Sequence, residues 1–259
     1  MPGEFDLITT FFKRPSPRGD VVLGVGDDAA VLRVPPGQEL LVSIDTLVAG
    51  VHFFPDADPR ALGYKALAVN LSDMAAMGAE PAWATLALTL PAVDTGWLAR
   101  FCEGFDTLAG AYGVALIGGN TTRGPLSITV QIHGFARADL VFRRDAAKAG
   151  DLIYVTGTLG DAGLALALLQ SDADGCAEAQ RAFLMERLYR PSVRVREALG
   201  LRGLVHAAID LSDGLYADLG HVLAASGVGA TLRLADLPLS EAFRVCAQAP
   251  SVTSALQVD

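Results

Sequence analysis

The stretch Val21-Val22-Leu23-Gly24-Val25-Gly26-Asp27-Asp28 is apolar and β-branched and then stops at two carboxylates. A short run of this kind, bounded by turn formers, reads as a buried strand. Leu40 to Ile44 repeats the pattern and stops at Asp45, and Val205 to Ile209 repeats it before Asp210. Helical periods lie between these runs. From Arg60 to Gly78, Leu62, Ala66, Val69, Asp73 and Met77 fall on one stripe, with Gly78 and Pro81 as the stop. Leu98, Phe101, Cys102, Phe105, Leu108, Ala109 and Tyr112 form a second amphipathic helix capped by Gly113. Strands are expected at Trp83–Leu90, at Val114–Ile117 (ending at Gly118-Gly119-Asn120) and at Leu126–Phe135. Beyond a turn at Lys148–Asp151, strands are expected at 152–156, 205–209 and 230–234, and helices at 161–170, 177–189, 192–199 and 214–225. Strands mixed with helices throughout give an α/β or α+β architecture. We place a domain boundary at the turn, giving domains 1–147 and 148–259.

Composition removes several function classes. The 259 residues carry a net charge of −9, 51% hydrophobic side chains and only 19% charged ones. A chain so apolar folds rather than staying disordered. An acidic balance argues against nucleic acid as a partner, since a phosphate backbone needs a basic face. No apolar run approaches the roughly 20 residues that span a bilayer, and the N-terminus lacks a secretory h-region. The three cysteines, Cys102, Cys176 and Cys246, show no metal spacing. An odd, scattered count fits a reducing compartment, hence a cytoplasmic protein without a disulfide scaffold.

Acid at strand ends is the unusual feature. Asp27, Asp28, Asp45 and Asp210 would converge on one sheet edge, where α/β folds place ligands. Converging carboxylates repel unless a cation lies between them, and oxygen-only ligands suit Mg²⁺. The competing reading is turn aspartates, common after strands. Asp73 also has two readings: a charge on the apolar stripe held by a metal, or a first-turn acid of a helix that begins near Ser72. Gly24–Ala29 lacks the third glycine of a dinucleotide fingerprint, and there is no G-x-x-x-x-G-K-[ST] loop. Gly118-Gly119-Asn120-Thr121-Thr122 offers backbone N–H groups to a phosphate, and Arg143-Arg144 offers bidentate contacts. The four histidines lack zinc-hydrolase spacing, and no nucleophile elbow is present.

Six segments occur in a fixed order. They are Gly24-Val25-Gly26-Asp27-Asp28-Ala29-Ala30, Ser43-Ile44-Asp45-Thr46, Val51-His52-Phe53, Asn70-Leu71-Ser72-Asp73-Met74-Ala75-Ala76-Met77-Gly78-Ala79, Ile117-Gly118-Gly119-Asn120-Thr121-Thr122 and Ile209-Asp210-Leu211-Ser212-Asp213-Gly214. Together they resemble the thiamine-monophosphate kinases, of the aminoimidazole ribonucleotide synthetase-like superfamily. The resemblance implies a two-domain α/β (α+β) protein whose N-terminal mixed sheet builds a barrel with a second copy, giving a homodimer. It implies transfer of the ATP γ-phosphate to thiamine monophosphate. Asp28, Ser43, Asp45, Asp73, Asp210 and Asp213 would hold several Mg²⁺ ions, with Asn120 and a backbone contact from Thr46. Room is left for a monovalent cation. Gly119, Asn120, Arg144 and Ser212, with Tyr112 added, match nucleotide-contacting positions, and His52 matches a substrate-contacting one. The acceptor is already an anion, so no general base is expected; positioning and charge neutralisation carry the catalysis.

Two departures stand out. Asn120 occupies a position where the family has Asp, and the chain stops at Asp259, short of a Gly-Gly-Glu-Asp-Tyr-like segment. The second domain is therefore expected to be incomplete. The competing readings are a superfamily enzyme with another acceptor and a nucleotide-binding module without turnover.

Overall fold

The computed structural model describes residues 4–171 and 176–248; the expectation about the chain end at Asp259 falls outside them. The described residues group into two compact units. One runs through Phe142 and includes Val193–Val205; the other holds Arg143–Ser192 and continues from His206.

The first unit is built on a mixed sheet. Strands β3 (Glu39–Val48), β4 (Glu80–Leu90), β5 (Ala115–Arg123) and β6 (Ser127–Ala136) lie in the order β3-β6-β4-β5. β6 is antiparallel to both neighbours, and β4 runs parallel to β5. A parallel pair needs a crossover, which α3 (Thr95–Tyr112) supplies. Its start is capped by Asp94, which accepts from the N–H groups of Gly96 and Trp97, and Gly113 ends it in the left-handed region at φ 64°. After a one-turn α1 (Glu4–Leu7), α2 (Pro59–Ala76) begins earlier than the late-start reading of Asp73 requires: Asp58 caps it and Pro59 fills its first position. Its buried side is Leu62, Ala66, Leu67, Leu71 and Met74, and Asp73, like Val69 and Met77 of the same stripe, is half-buried. Register puts Ile128, Val130 and Ile132 of β6 level with Leu88, Leu86 and Ala84 of β4. All six are buried, on the face that α2 covers.

Two glycines set how closely the helices pack. A Cβ on Gly63 would stand 2.0 Å from the Phe101 carbonyl oxygen, and one on Gly104 would stand 1.9 Å from that of Arg60. The backbones of α2 and α3 therefore touch where neither residue carries a side chain. A short hairpin, β1 (Val21–Leu23) with β2 (Val31–Leu32), packs Val21 and Leu32 near Trp83. Asp20 joins it there, accepting from Trp83 Nε1 at 3.0 Å and from Arg18 Nε at 3.0 Å. The Arg18 contact holds the Asp20 carboxyl below the usual carboxylate range.

Several expectations are corrected in this unit. β1 and β3 are not buried strands: Val22, Leu23, Leu40, Val42 and Ile44 are exposed. The apolar runs had suggested burial on both faces, but β3 is a sheet edge with helices on one side only. Asp45 does not end its strand either; β3 continues three residues past it. Gly118-Gly119-Asn120 is likewise no turn, because β5 runs straight through it. Gly119 is required there by proximity: a Cβ would fall 1.9 Å from the Leu86 carbonyl oxygen.

The second unit is helical among its described residues: α4 (Asp161–Ser171), α5 (Glu178–Tyr189), α7 (Leu215–Ser226) and α8 (Glu241–Cys246), while α6 (Val195–Gly200) belongs to the first unit. Leu164, Ala165 and Leu168 of α4 bury against Leu184, Ala242 and Cys246. Asp161 is only 2% exposed; its two oxygens accept from Thr158 Oγ1 and Ser240 Oγ, each at 2.5 Å. The strands expected at 152–156, 205–209 and 230–234 form no ladder. A strand exists only where a neighbour takes its backbone groups, and here single bridges join Arg143 to Ala207 and Leu159 to Leu239. The thiols are corrected too. Cys176 and Cys246 are joined, with Cα atoms 5.0 Å apart. Chain spacing gave no hint of this, because α8 folds back onto α4 and α5. Cys102 stays a free thiol, pushed up to about 11 by burial. Among the described residues no helix is long and apolar enough to cross a membrane.

Candidate functional site

In the first unit two of the sequence motifs, those holding Ser43 and Asp73, meet at β3. Ser43 and Asp45 are two residues apart, so they share a face. Their register partners, Ile132 and Val130, show it to be the helix-covered face. Asp73, near the C-terminal end of α2, reaches that face, and the Ser43 hydroxyl donates to its Oδ2 at 2.5 Å. An acid placed there opposes the helix dipole, so its position is a cost that the helix itself does not explain. Asp28 is exposed, and its backbone N–H donates to Asp27 Oδ1 at 2.8 Å.

Thr46 lies on the opposite, exposed face, its hydroxyl 2.8 Å from that of Thr129. Register carries one row across that face: Thr46, Thr129, Ala87 and Asn120. Asn120 is therefore at the far edge of the sheet, three strand spacings or roughly 14 Å from Thr46. Gly119 sits beside it on β5. After β3 the chain turns at His52, whose Nδ1 accepts from the Val48 N–H at 3.1 Å. That bond leaves Nε2 as the ring's donor. Tyr112 ends α3, and its hydroxyl donates weakly to the Val193 carbonyl at 3.4 Å.

In the second unit Arg143 is not a free phosphate clamp: its guanidinium grips Asp145 at 2.8 and 2.6 Å. Arg144 is exposed and, among the described residues, has no carboxylate partner. Its carbonyl accepts from Ser226 Oγ at 2.7 Å, which ties the turn to α7. Ser212 and Asp213 are exposed and Asp210 is half-buried just before them.

Among the described residues no three His, Cys, Asp or Glu side chains stand together as a metal cage, so the convergence expected from strand ends is not realised as a cluster. The donor chemistry still suits a hard cation. Every proposed ligand is an oxygen, and the preformed contact is the Ser43–Asp73 pair. Oxygens of a bound phosphate chain would complete such a site, as hard cations often bind between one or two carboxylates and phosphates.

Sequence reasoning missed two residues. Asp218 is buried beneath the 211–214 loop; its position four residues after Gly214 was the available signal. Lys13 brings its ammonium over Gly26, in the loop that carries Asp27 and Asp28; its Nζ lies 3.4 Å from where a Gly26 Cβ would be. Lys13, Arg14, Ser16, Arg18, Gly24 and Val25 line a cavity of about 520 Å³ there.

Comparison with known proteins fits this arrangement. Residues 26–136 match the AIR synthase related protein N-terminal domain, and residues 148–251 match the C-terminal domain. The thiamine-monophosphate kinase of Escherichia coli (strain K12) is 54% identical over 242 residues, which is 93% of this chain and 74% of that protein. A crystal structure of thiamine-monophosphate kinase from Stenotrophomonas maltophilia K279a superposes with a TM-score of 0.86 at 47% identity, covering 92% of this chain and 77% of the other. A structure of AaThiL complexed with AMPPCP and TMP superposes with a TM-score of 0.78 at 32% identity, covering 89% and 75%. The ordered motifs, the mixed sheet under two helices and this identity along nearly the whole chain lead to one conclusion: the chain belongs to the AIR synthase related family and, within it, to the thiamine-monophosphate kinases.

Proposed function

We propose that this protein catalyses ATP-dependent phosphorylation of thiamine monophosphate to thiamine diphosphate. The observation that carries the reading is the 54% identity to a thiamine-monophosphate kinase over the stretch that holds all six motifs. A relative complexed with an ATP analogue and TMP supports it. We place the enzyme in the cytoplasm, where ATP is held, and assign the dimer contacts and most ATP and metal contacts to a first domain over 1–147, followed by a second domain over 148–259.

Divalent cations, Mg²⁺ by the all-oxygen donor set, would be held by Asp28, Ser43, Asp45, Asp73 and the Thr46 backbone in the first unit, with Asn120, and by Asp210 and Asp213 in the second. When bound they supply neutralisation of the triphosphate charge. The chain's own groups then have positioning roles. Ser43 fixes the rotamer of Asp73 through its hydroxyl. Gly119 lets β5 lie against β4 without a side chain between them and holds Asn120 at the sheet edge. Arg144 and Ser212 supply donors to nucleotide phosphates or ribose, with Tyr112 beside the nucleotide, and His52 presents Nε2–H to the acceptor. No side chain has to remove a proton, because the acceptor phosphate is already ionised at pH 7. The direct test mixes protein, ATP and Mg²⁺ with and without thiamine monophosphate. ADP release that depends on the thiamine compound is expected. Release that is indifferent to it, or that follows another acceptor in a substrate panel, overturns the assignment.

Asn120 gives a second test. An amide oxygen can ligate a cation but brings no charge. Asn120→Asp is expected to lower the Mg²⁺ concentration for half-maximal rate by about tenfold, the effect of one added carboxylate on a hard cation site. An unchanged Mg²⁺ titration would remove position 120 from the ligand set.

The homodimer is also proposed from a surface. Leu40, Val42 and Ile44 are 44%, 50% and 59% exposed, all on the sheet face without helices. Three large apolar side chains in a row beside an open strand edge are an association surface, and a second copy of the same sheet is the matching partner. Ile44→Lys is expected to convert a dimer to a monomer in light scattering. A dimer that survives it must form elsewhere.

A further inference from the structure

The loop Leu211-Ser212-Asp213-Gly214 is exposed along its whole length, yet one buried atom organises it. Asp218, in the first turn of α7, is 3% exposed. Its Oδ2 accepts from three successive backbone N–H groups: Ser212 at 2.9 Å, Asp213 at 3.1 Å and Gly214 at 3.0 Å. Three donors can converge on one oxygen only if the backbone curls tightly around it. Gly214 allows the curl, at φ 107°, where a side chain would be strained. The backbone donors thus point inward, and the Ser212 and Asp213 side chains are left on the outside.

We propose that Asp218 is a positioning residue for the metal and nucleotide contacts made by this loop. The inference rests on the functional reading above, which gives Ser212 to the nucleotide and Asp213 to a cation. A loop with no regular hydrogen bonding would otherwise sample many conformations, and each would have to be given up on binding. Charge-assisted bonds from one carboxylate to three N–H groups select a single conformation beforehand. Removing the carboxylate leaves three N–H donors without their acceptor and frees the loop. Asp218 itself touches neither ATP nor metal in this scheme.

The test uses the full chain with Asp218→Ala and Asp218→Asn. ATP binding is measured by calorimetry in Mg²⁺, and KM is measured for ATP and for thiamine monophosphate. Asp218→Ala is expected to raise the ATP Kd and KM by roughly tenfold or more, as expected for losing about three hydrogen bonds to a charged group. Asp218→Asn keeps an accepting oxygen without the charge and should fall between, at about threefold; it also serves if the alanine variant fails to fold. The KM for thiamine monophosphate should stay put. Asp161→Asn is the control, since it removes a buried charge from the same unit without touching the loop. It should lower the melting temperature but not the ATP KM, because a smaller folded fraction lowers Vmax alone. The proposal is overturned if both Asp218 variants bind ATP like the parent, or if they change only Vmax and melting temperature as the control does. A parent chain that binds no ATP in Mg²⁺ would instead overturn the functional reading, and this inference with it.

Discussion

Asp73→Asn is expected to lower the thiamine-monophosphate-dependent rate at least about a hundredfold, with the melting temperature unchanged or slightly raised. The two halves of that expectation come from one location. Asp73 lies three residues from the end of α2, where the helix dipole presents its negative pole. A carboxylate there destabilises the helix, so replacing it with an amide should cost the fold nothing. The amide oxygen still accepts from the Ser43 hydroxyl, now 2.5 Å from Oδ2. What the variant loses is charge beside Ser43 and Asp45, where the proposed cation and triphosphate meet. Rate and thermal stability measured on the same preparation decide the matter. A large fall in melting temperature with activity preserved would make Asp73 a structural residue and remove the centre of the proposed site.

Gly104→Ala should be the most damaging of the small substitutions. A single methyl group at this position points at the Arg60 carbonyl oxygen from 1.9 Å, well inside contact distance. Backbone cannot rotate away as a long side chain can. α2 and α3 must therefore separate, which opens the packing of Leu67, Leu71, Phe101 and Phe105 between and around them. Overpacking of this kind against backbone costs about 3 kcal/mol, the upper end of the usual range. For a chain of this size that is on the order of 10 °C in melting temperature. Gly63→Ala meets the Phe101 carbonyl from the other helix and should behave alike. Because one separation of the helices relieves both clashes, the double variant should lose less than the sum of the two. Additive losses would mean the two contacts yield independently. A melting temperature within a degree or two of the parent would show that the helices do not touch there.

The elements of the first unit were legible because each carried its own period. Leu98 to Tyr112 repeats at helical spacing and ends at a glycine; Leu126 to Phe135 alternates. Sheet position was not legible. An apolar run such as Leu40–Ile44 looks the same whether both faces are buried or one stays exposed. Gly118-Gly119 has turn composition, and only the neighbouring Leu86 carbonyl explains why it lies inside a strand. The site was legible as a set of residue types, since acids after apolar runs are costly and invite an explanation. Its geometry was not, because the Ser43–Asp73 bond joins positions thirty residues apart and the row from Thr46 to Asn120 depends on register. Asp218 was missed for a related reason: it acts through backbone N–H groups, so its spacing from Gly214 is the one trace it leaves in the sequence.

The assignment of Val193–Val205 to the first unit has a consequence for how the chain is made. Arg202 donates to the carbonyls of Gly78 and Phe135, at 2.7 and 3.3 Å. β3 must already have waited for β6, nearly eighty residues later. Synthesis therefore releases α4 and α5, which belong to the second unit, before the first has received its last piece. On the ribosome the two units mature as overlapping rather than successive events, and a nascent chain halted between residues 142 and 193 would hold an early sheet still lacking its closing clasp.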